Sequence, residues 1–434
     1  MRKFILPFIS LFIFTNSQSQ TSYYFPPKTI NATWDTISPT SLGWCTNYID
    51  TINNYLDATH NKAFIILKDG KIALEHYTGT FTKDSIWYWA SAGKTLTGFL
   101  TGIAQEEGFL SINDTSAKYL GNGWTSCNAT QEAIIKVRNQ LTMTTGLDDN
   151  VPDLNCSYDT CLIYKADAGT RWAYHNAPYH LLQNVVQNAT GVTFSQYTTT
   201  KLKTPTGMIG FWVDSTYYSR ARDMARFGSL ILNHGIWNQD TVMHDTSYFH
   251  QMTNTSQNLN LSYGYLWWLN GKGSYMIPQS QIVIPTNLIP NAPSDLIAAL
   301  GKNDQKLYVI PSMNMVIVRM GDAAYAAGPT LTVFDNNLWG KLNQLFCNST
   351  GTVTLNEPKL RMYPNPTSNY LHIESDIQIT SIEIIDLSGK TVLSGSISNA
   401  DIDISKLAPG CYFIRSFQNN NLQKKLLRFV KLPQ

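Results

Sequence analysis

Trp87-Tyr88-Trp89-Ala90-Ser91-Ala92-Gly93-Lys94-Thr95-Leu96-Thr97-Gly98 is the stretch on which the reading of this chain turns. Read as the opening of a helix, it puts Ser91 and Lys94, three residues apart, on one face. The Lys94 amine then stands beside the Ser91 hydroxyl, with backbone N–H groups and the positive end of the helix dipole close by. A serine hydroxyl is a weak nucleophile at its own pKa and needs an adjacent base. A lysine whose pKa is lowered by burial can be that base near neutral pH. The bare Ser-x-x-Lys pattern is weak, since a chain of this composition carries about one or two by chance. An ordinary helix start with Ser91 as its cap reads the same way, so other parts of the chain have to decide.

Two other segments supply that context. Gly169-Thr170-Arg171-Trp172-Ala173 runs into Tyr174-His175-Asn176, and Ala299-Leu300-Gly301 ends an apolar run just before a strand hairpin. In this order and spacing the three segments resemble the motifs of the serine β-lactamase and penicillin-binding-protein superfamily: Ser-x-x-Lys, Tyr-x-Asn, and Lys/His-x-Gly on an edge strand. The resemblance covers roughly residues 40–348. It leans towards class C β-lactamase-like esterases and 6-aminohexanoate-dimer hydrolases. Gly102–Gly108, Leu141–Leu147 and Arg222–Gly228 frame the motifs in the same sense.

The resemblance implies that Ser91 attacks a carbonyl, Lys94 takes its proton, and the Tyr174 phenol relays a proton to the leaving group. Asn176 is then expected to orient Lys94 or bond the substrate. The backbone N–H groups of Ser91 and of Lys302, just after Gly301, are expected to form an oxyanion hole. Read from the residues alone, a phenol near two cations loses its proton more easily. The chain departs from the pattern at Ala299, where the superfamily carries Lys or His to bind a substrate carboxylate. Lys302 lies at odd spacing from Ala299, so strand alternation would send it to the other face. An uncharged small ester or amide is therefore the expected substrate. His175 reads as positional rather than as a base. Of Trp267 and Trp268, one is expected to line the pocket and the other only to pack.

Around the motifs, helices are expected from Cys45 to Leu56, Ser91 to Glu107, Arg220 to Asn233 and Thr332 to Phe346. Ala63–Leu67 and Lys71–Leu74 flank Asp69-Gly70, a strong hairpin signal. Further strands are expected at Leu266–Leu269, Leu296–Leu300, Lys306–Ile310 and Met315–Met320. Strands and a helix at each end with helices between them imply one sheet built from both ends and a helical lobe. The expected class is α+β, a β-lactamase-like antiparallel sheet flanked by helices, with a crevice between the lobes.

After about residue 350 the pattern becomes short alternating strands, which read as a small C-terminal β-sandwich. Tyr363-Pro364-Asn365-Pro366, Ile384–Lys390, Leu407–Ile414 and Phe429-Val430-Lys431 resemble the C-terminal sorting domain of type IX secretion substrates in Bacteroidetes. That resemblance implies the type IX machinery as a partner. At the other end, Arg2-Lys3 followed by apolar Phe4–Phe14 reads as a signal peptide over residues 1–19. The domain expectation is residues 20–348 for the hydrolase-like unit, 349–358 for a linker and 359–434 for the sorting domain. The protein is expected outside the cell, secreted or surface-attached after passing through the periplasm.

A net charge of +2 gives no electrostatic case for nucleic acid or anionic membranes, and no later segment is apolar for long enough to span a bilayer. Six cysteines suit an oxidising destination. Cys156 and Cys161 would close a short polar loop, and Cys45 with Cys347 would staple the first and last helices of the larger unit. Cys127 and Cys411 read as buried thiols. No Cys/His cluster has metal-ligand spacing, so neither metal nor cofactor is expected. The function read from the sequence is a secreted serine hydrolase that forms an acyl-enzyme. A D-Ala-D-Ala carboxypeptidase or β-lactamase is the enzymatic alternative, and a catalytically silent surface or binding protein is the alternative of another class.

Overall fold

The computed structural model describes residues 23–325, 332–347, 361–375, 379–396, 401–418, 421–422 and 427–433. The expected signal peptide at 1–19 and linker at 349–358 lie outside the described residues. In chain order the elements that frame the site are α1 (Ile49–Ala58), β1 (Asn61–Lys68), β2 (Lys71–Tyr77), α2 (Lys94–Glu106), α3 (Asn176–Thr190) and α4 (Ala221–Leu232). They are followed by β3 (Trp268–Leu269), β4 (Ile297–Gly301), β5 (Gln305–Ile310), β6 (Met315–Gly321) and α5 (Val333–Leu345).

The six strands form one sheet in the order β2-β1-β6-β5-β4-β3, with antiparallel neighbours throughout. Strands from the start of the chain therefore pair with strands from the end of the larger unit, as expected. Asp69 and Gly70 turn the first hairpin at φ 53° and 83°, the left-handed conformation that suits a tight hairpin turn. A Cβ on Gly70 would stand 1.8 Å from the Tyr24 carbonyl oxygen, so glycine is required there by space as well.

Both sheet faces are covered, which is why β1 reads as a continuous apolar run rather than an alternating one. Lys306 and Tyr308 of β5 face α5 through Asp335, whereas a Cβ on Gly228 of α4 would meet Leu307 and Val316 on the opposite face. The disulfide Cys45–Cys347, with Cα atoms 5.3 Å apart, fastens the start of α1 to the end of α5. Cys156–Cys161 closes its short loop at 5.9 Å. Cys127 and Cys411 are free but half-buried, less enclosed than expected.

α2 is buried from Lys94 through Ala104, a helix with hardly any water-facing side. Its first turn differs from the sequence reading. Ala90–Gly93 form a 3-10 turn, and the α-helix proper starts only at Lys94. The two conformations still leave Ser91 and Lys94 adjacent, because residues three apart nearly eclipse in a 3-10 turn.

The C-terminal strands form two further sheets. One holds Arg361–Tyr363, Tyr370–Glu374 and Asp401–Asp403; the other is built around Ser381–Ile385, Thr391–Ser396, Gly410–Gln418 and Leu427–Lys431. Leu371, Ile373, Ile382, Ile384, Ile402, Ile404, Ile414 and Phe429 make a core of their own. No helix among the described residues is long and apolar enough to cross a membrane.

Candidate active site

The turn that carries Ser91 is tied down before it begins. The Trp89 N–H donates to the Tyr217 carbonyl at 2.8 Å, and its indole N–H donates to Ser219 Oγ at 2.8 Å. Ala90 then takes φ 47°, a left-handed value for a residue with a Cβ. Such a conformation costs about 1–3 kcal/mol and persists only where the surroundings enforce it. The Trp89 anchors supply that enforcement and present Ser91 at the floor of a cleft of about 340 Å³.

Lys94 is the next link. Its side chain is 3% exposed, and its Nζ donates to Ser91 Oγ at 2.9 Å. No carboxylate pairs with it among the described residues; its neighbours are the rings of Tyr174 and Tyr179, with centroids 5.0 and 4.5 Å from Nζ. Burial without a counter-charge lowers its pKa from 10.5 to about 7. At neutral pH a substantial fraction is therefore free amine, in contact with the serine hydroxyl.

Tyr174 completes the group just before α3, lining the same cleft as Ser91 and with its ring stacked on Trp268 at 5.8 Å. The expected loss of its proton is not what the structure gives. Burial dominates and pushes the phenol up to about 12. Tyr174 is a neutral phenol at neutral pH, a proton donor in the resting site.

Asn176 also departs from expectation. It makes no hydrogen bond with Lys94; its Nδ2 donates to Asn155 Oδ1 at 3.0 Å, and its Oδ1 is buried without a partner. His175 is 1% exposed, with both ring nitrogens unpartnered, and burial pulls its pKa down to about 4. It is a neutral, enclosed side chain rather than a base in the cleft. Trp268 lines the cleft, while Trp267 stacks on Phe227 in the core, the division expected of the pair.

The third segment forms the opposite wall. A Cβ on Gly301 would lie 2.4 Å from the Trp89 carbonyl oxygen and 3.1 Å from the Ala92 nitrogen. Only glycine lets the end of β4 approach the Ser91 turn so closely. Ala299 is buried within the sheet. Lys302 is not on a strand: β4 stops at Gly301, and Lys302 starts a 3-10 turn with Asn303 at φ 59°. Strand alternation therefore does not govern it, and Lys302 lines the cleft beside Gly301.

The sequence reading passed over Tyr179, Asn155, Asp304 and Lys306. Tyr179 flanks Lys94 and shares Gln183 with Thr97 of α2. Asn176, Tyr179, His180 and Gln183 recur at helical spacing along α3, a polar stripe that was legible beforehand. Lys306 and Asp304 extend the cleft beyond Lys302, and no local pattern marked either.

The family described as Beta-lactamase matches residues 50–329, and the family described as Secretion system C-terminal sorting domain matches residues 361–429. No curated protein matches the chain. A solved structure from Bacillus anthracis, named as a 6-aminohexanoate-dimer hydrolase, is 18% identical with a TM-score of 0.56, covering 75% of this chain and 91% of its own. A protein from Bacteroides dorei DSM 17855, named as a β-lactamase, is 16% identical with a TM-score of 0.55, covering 70% of this chain and 99% of its own. The octameric penicillin-binding-protein homologue of Pyrococcus abyssi is 15% identical with a TM-score of 0.52, covering 89% and 99%. At these identities the likeness to the solved structures is one of fold.

Proposed function

Since the chain belongs to the β-lactamase family and ends in a secretion-system sorting domain, we propose that it is an exported serine hydrolase that cleaves a small ester or amide through an acyl-enzyme. The observation that carries this reading is the 2.9 Å contact between Ser91 Oγ and a buried Lys94 that has no carboxylate partner. Ser91 Oγ adds to the substrate carbonyl carbon while its proton passes to the Lys94 amine. The carbonyl oxygen takes up the negative charge, facing the N–H groups of Ser91 and Lys302. Collapse of this intermediate expels the alcohol or amine, which leaves with the Tyr174 proton; Tyr174 regains one from the Lys94 ammonium. Water then attacks the acyl-Ser91 ester, with Lys94 again taking the proton, and releases the acid.

Asn176, held by Asn155, offers a free carbonyl oxygen that suits a substrate N–H. The hydrolase unit is assigned to residues 20–348 and the sorting domain to 359–434. The sorting domain directs the enzyme through the periplasm and the type IX machinery to the surface or the medium.

An uncharged substrate follows from Ala299, which leaves the usual carboxylate-binding position without a charge. Lys302 at the cleft supports a second reading, in which it meets a substrate carboxylate as in a β-lactamase or D-Ala-D-Ala carboxypeptidase. A panel of p-nitrophenyl esters, anilides, nitrocefin and a muropeptide, run with Ser91→Ala and Lys302→Ala, separates the two. Ester or amide turnover that is lost in Ser91→Ala and retained in Lys302→Ala supports the first. Nitrocefin or muropeptide cleavage that depends on Lys302, with esters inert, would replace it with the second. A fluorophosphonate probe that labels the wild type no better than Ser91→Ala would reject both.

A further inference from the structure

Away from the cleft, a second cavity of about 240 Å³ opens between the N-terminal lead-in and the start of α4. Its lining gathers Arg220, Arg222, Arg226 and Lys83, with Asp84 and Asn31. Their charges do not balance. Arg222 forks the Glu75 carboxylate at 2.7 and 2.6 Å. Arg220 holds Asp223 at 2.8 and 3.3 Å and Asn31 Oδ1 at 3.2 Å. Asp84, at the exposed rim, pairs with Lys83 at 2.6 Å and also lies 3.7 Å from Arg220 Nη1.

Arg226 is different. It is 6% exposed, yet it donates only to the carbonyls of Pro26, Pro27 and Thr206. Its guanidinium rests against Trp34 and Trp237, and among the described residues no carboxylate forms an ion pair with it. The cavity thus sets four cations, Lys83, Arg220, Arg222 and Arg226, against three carboxylates, Asp84, Glu75 and Asp223, and Arg226 is the cation that none of the three pairs with. One buried positive charge is left over, an arrangement that is costly unless something negative completes it. Burial accordingly pulls the Arg226 pKa down to about 10.

We infer that this cavity binds a small tetrahedral oxyanion, inorganic phosphate or sulfate, held by the arginine cluster. Guanidinium forks match the oxygens of such an ion in both geometry and charge. The site lies one strand from the nucleophile. Arg220 directly follows Ser219, whose Oγ receives the Trp89 indole N–H, and Lys83-Asp84 lead into Trp87–Tyr88, which pair with Ser219 and Tyr218. An anion seated here therefore braces the segment that delivers Ser91.

The test uses the full-length mature protein, melted in phosphate, sulfate and chloride at matched ionic strength, with calorimetric titration of inorganic phosphate. Wild type should show a saturable rise in Tm with phosphate or sulfate that chloride does not give, and one binding event per chain. Phosphate and sulfate also stabilise proteins without binding at a site, so the deciding variant is Asn31→Asp. Asn31 sits at φ 62°, which aspartate also tolerates, and the new carboxylate would face Arg220. This variant should melt higher in chloride and lose both the saturable response and the calorimetric signal. Equal responses in phosphate and chloride, or an Asn31→Asp variant that answers phosphate as wild type does, would overturn the proposal.

Discussion

Two lysines of the larger domain, Lys306 and Lys94, are almost equally buried and opposite in circumstance. Lys306 is 1% exposed, and its Nζ is flanked by Asp335 Oδ2 at 2.8 Å and Asp304 Oδ1 at 3.2 Å. Tyr308 donates a further hydrogen bond to Asp335 at 2.6 Å. Lys94, at 3% exposure, has a serine hydroxyl and two aromatic faces. Burial alone therefore does not make a lysine reactive. What differs is the counter-charge: Lys306 has two carboxylates within ion-pair distance, whereas Lys94 has none, and burial without one lowers its pKa. The first lysine joins β5 to α5, and the second is free to act as a base.

The strongest break of this comparison is on turnover. Ser91→Ala should lower kcat/KM by about 10³-fold or more, and Lys94→Ala by about 10²–10⁴-fold, both read by steady-state assay on whichever substrate the panel identifies. A Lys94→Ala variant with near-normal turnover would remove the basis for treating the two lysines differently. On stability the order reverses. Lys306→Ala strands the Asp335 carboxylate in the interior and should cost about 3–5 kcal/mol, measured by urea unfolding. Tyr174→Phe keeps the stacking on Trp268 and loses only the proton donor, for an expected loss of about 10²-fold in kcat.

The remaining effects are on pH. In the proposed mechanism the free amine of Lys94 is the active form, so kcat/KM should rise through about pH 7 to a plateau. Stability follows the same group. Between about 7 and its ordinary value of 10.5 the unfolded chain keeps a proton that the folded chain has released. Stability contributed by Lys94 therefore increases with pH across that window. Lys94→Met should flatten this rise and raise Tm most below pH 7, whereas Lys306→Met should lower Tm. Calorimetric melts at pH 6 and 9 read both signs.

Much of this site was legible in the sequence because its parts are short and local. Ser91 and Lys94 lie three apart, Tyr174 and Asn176 two apart, and Gly301 ends an apolar run; helix and turn geometry make neighbours of residues at such spacings. The hairpin at Asp69-Gly70, both strand-bearing ends of the sheet and the tail's alternating pattern were legible for the same reason. The disulfide pairs were consistent with the sequence, but only the fold brings Cys45 within 5.3 Å of Cys347 across a separation of 302 residues.

What the sequence could not reach depends on groups brought together from a distance. Chain order cannot say that Tyr174 is enclosed by aromatic rings, so its pKa went the opposite way from the one expected. Nor can it say that β4 ends at Gly301, which frees Lys302 from strand alternation, or that Asn155 occupies the amide of Asn176. The sequence by itself singled out Ser91 and Lys94 as the candidate nucleophile and base and marked the sorting domain, since local spacing and composition carry them. Only the tertiary structure decided which lysine lacks a carboxylate and which buried arginine has none. Burial and counter-charge are sums over neighbours from the whole chain, and those neighbours exist only once it has folded.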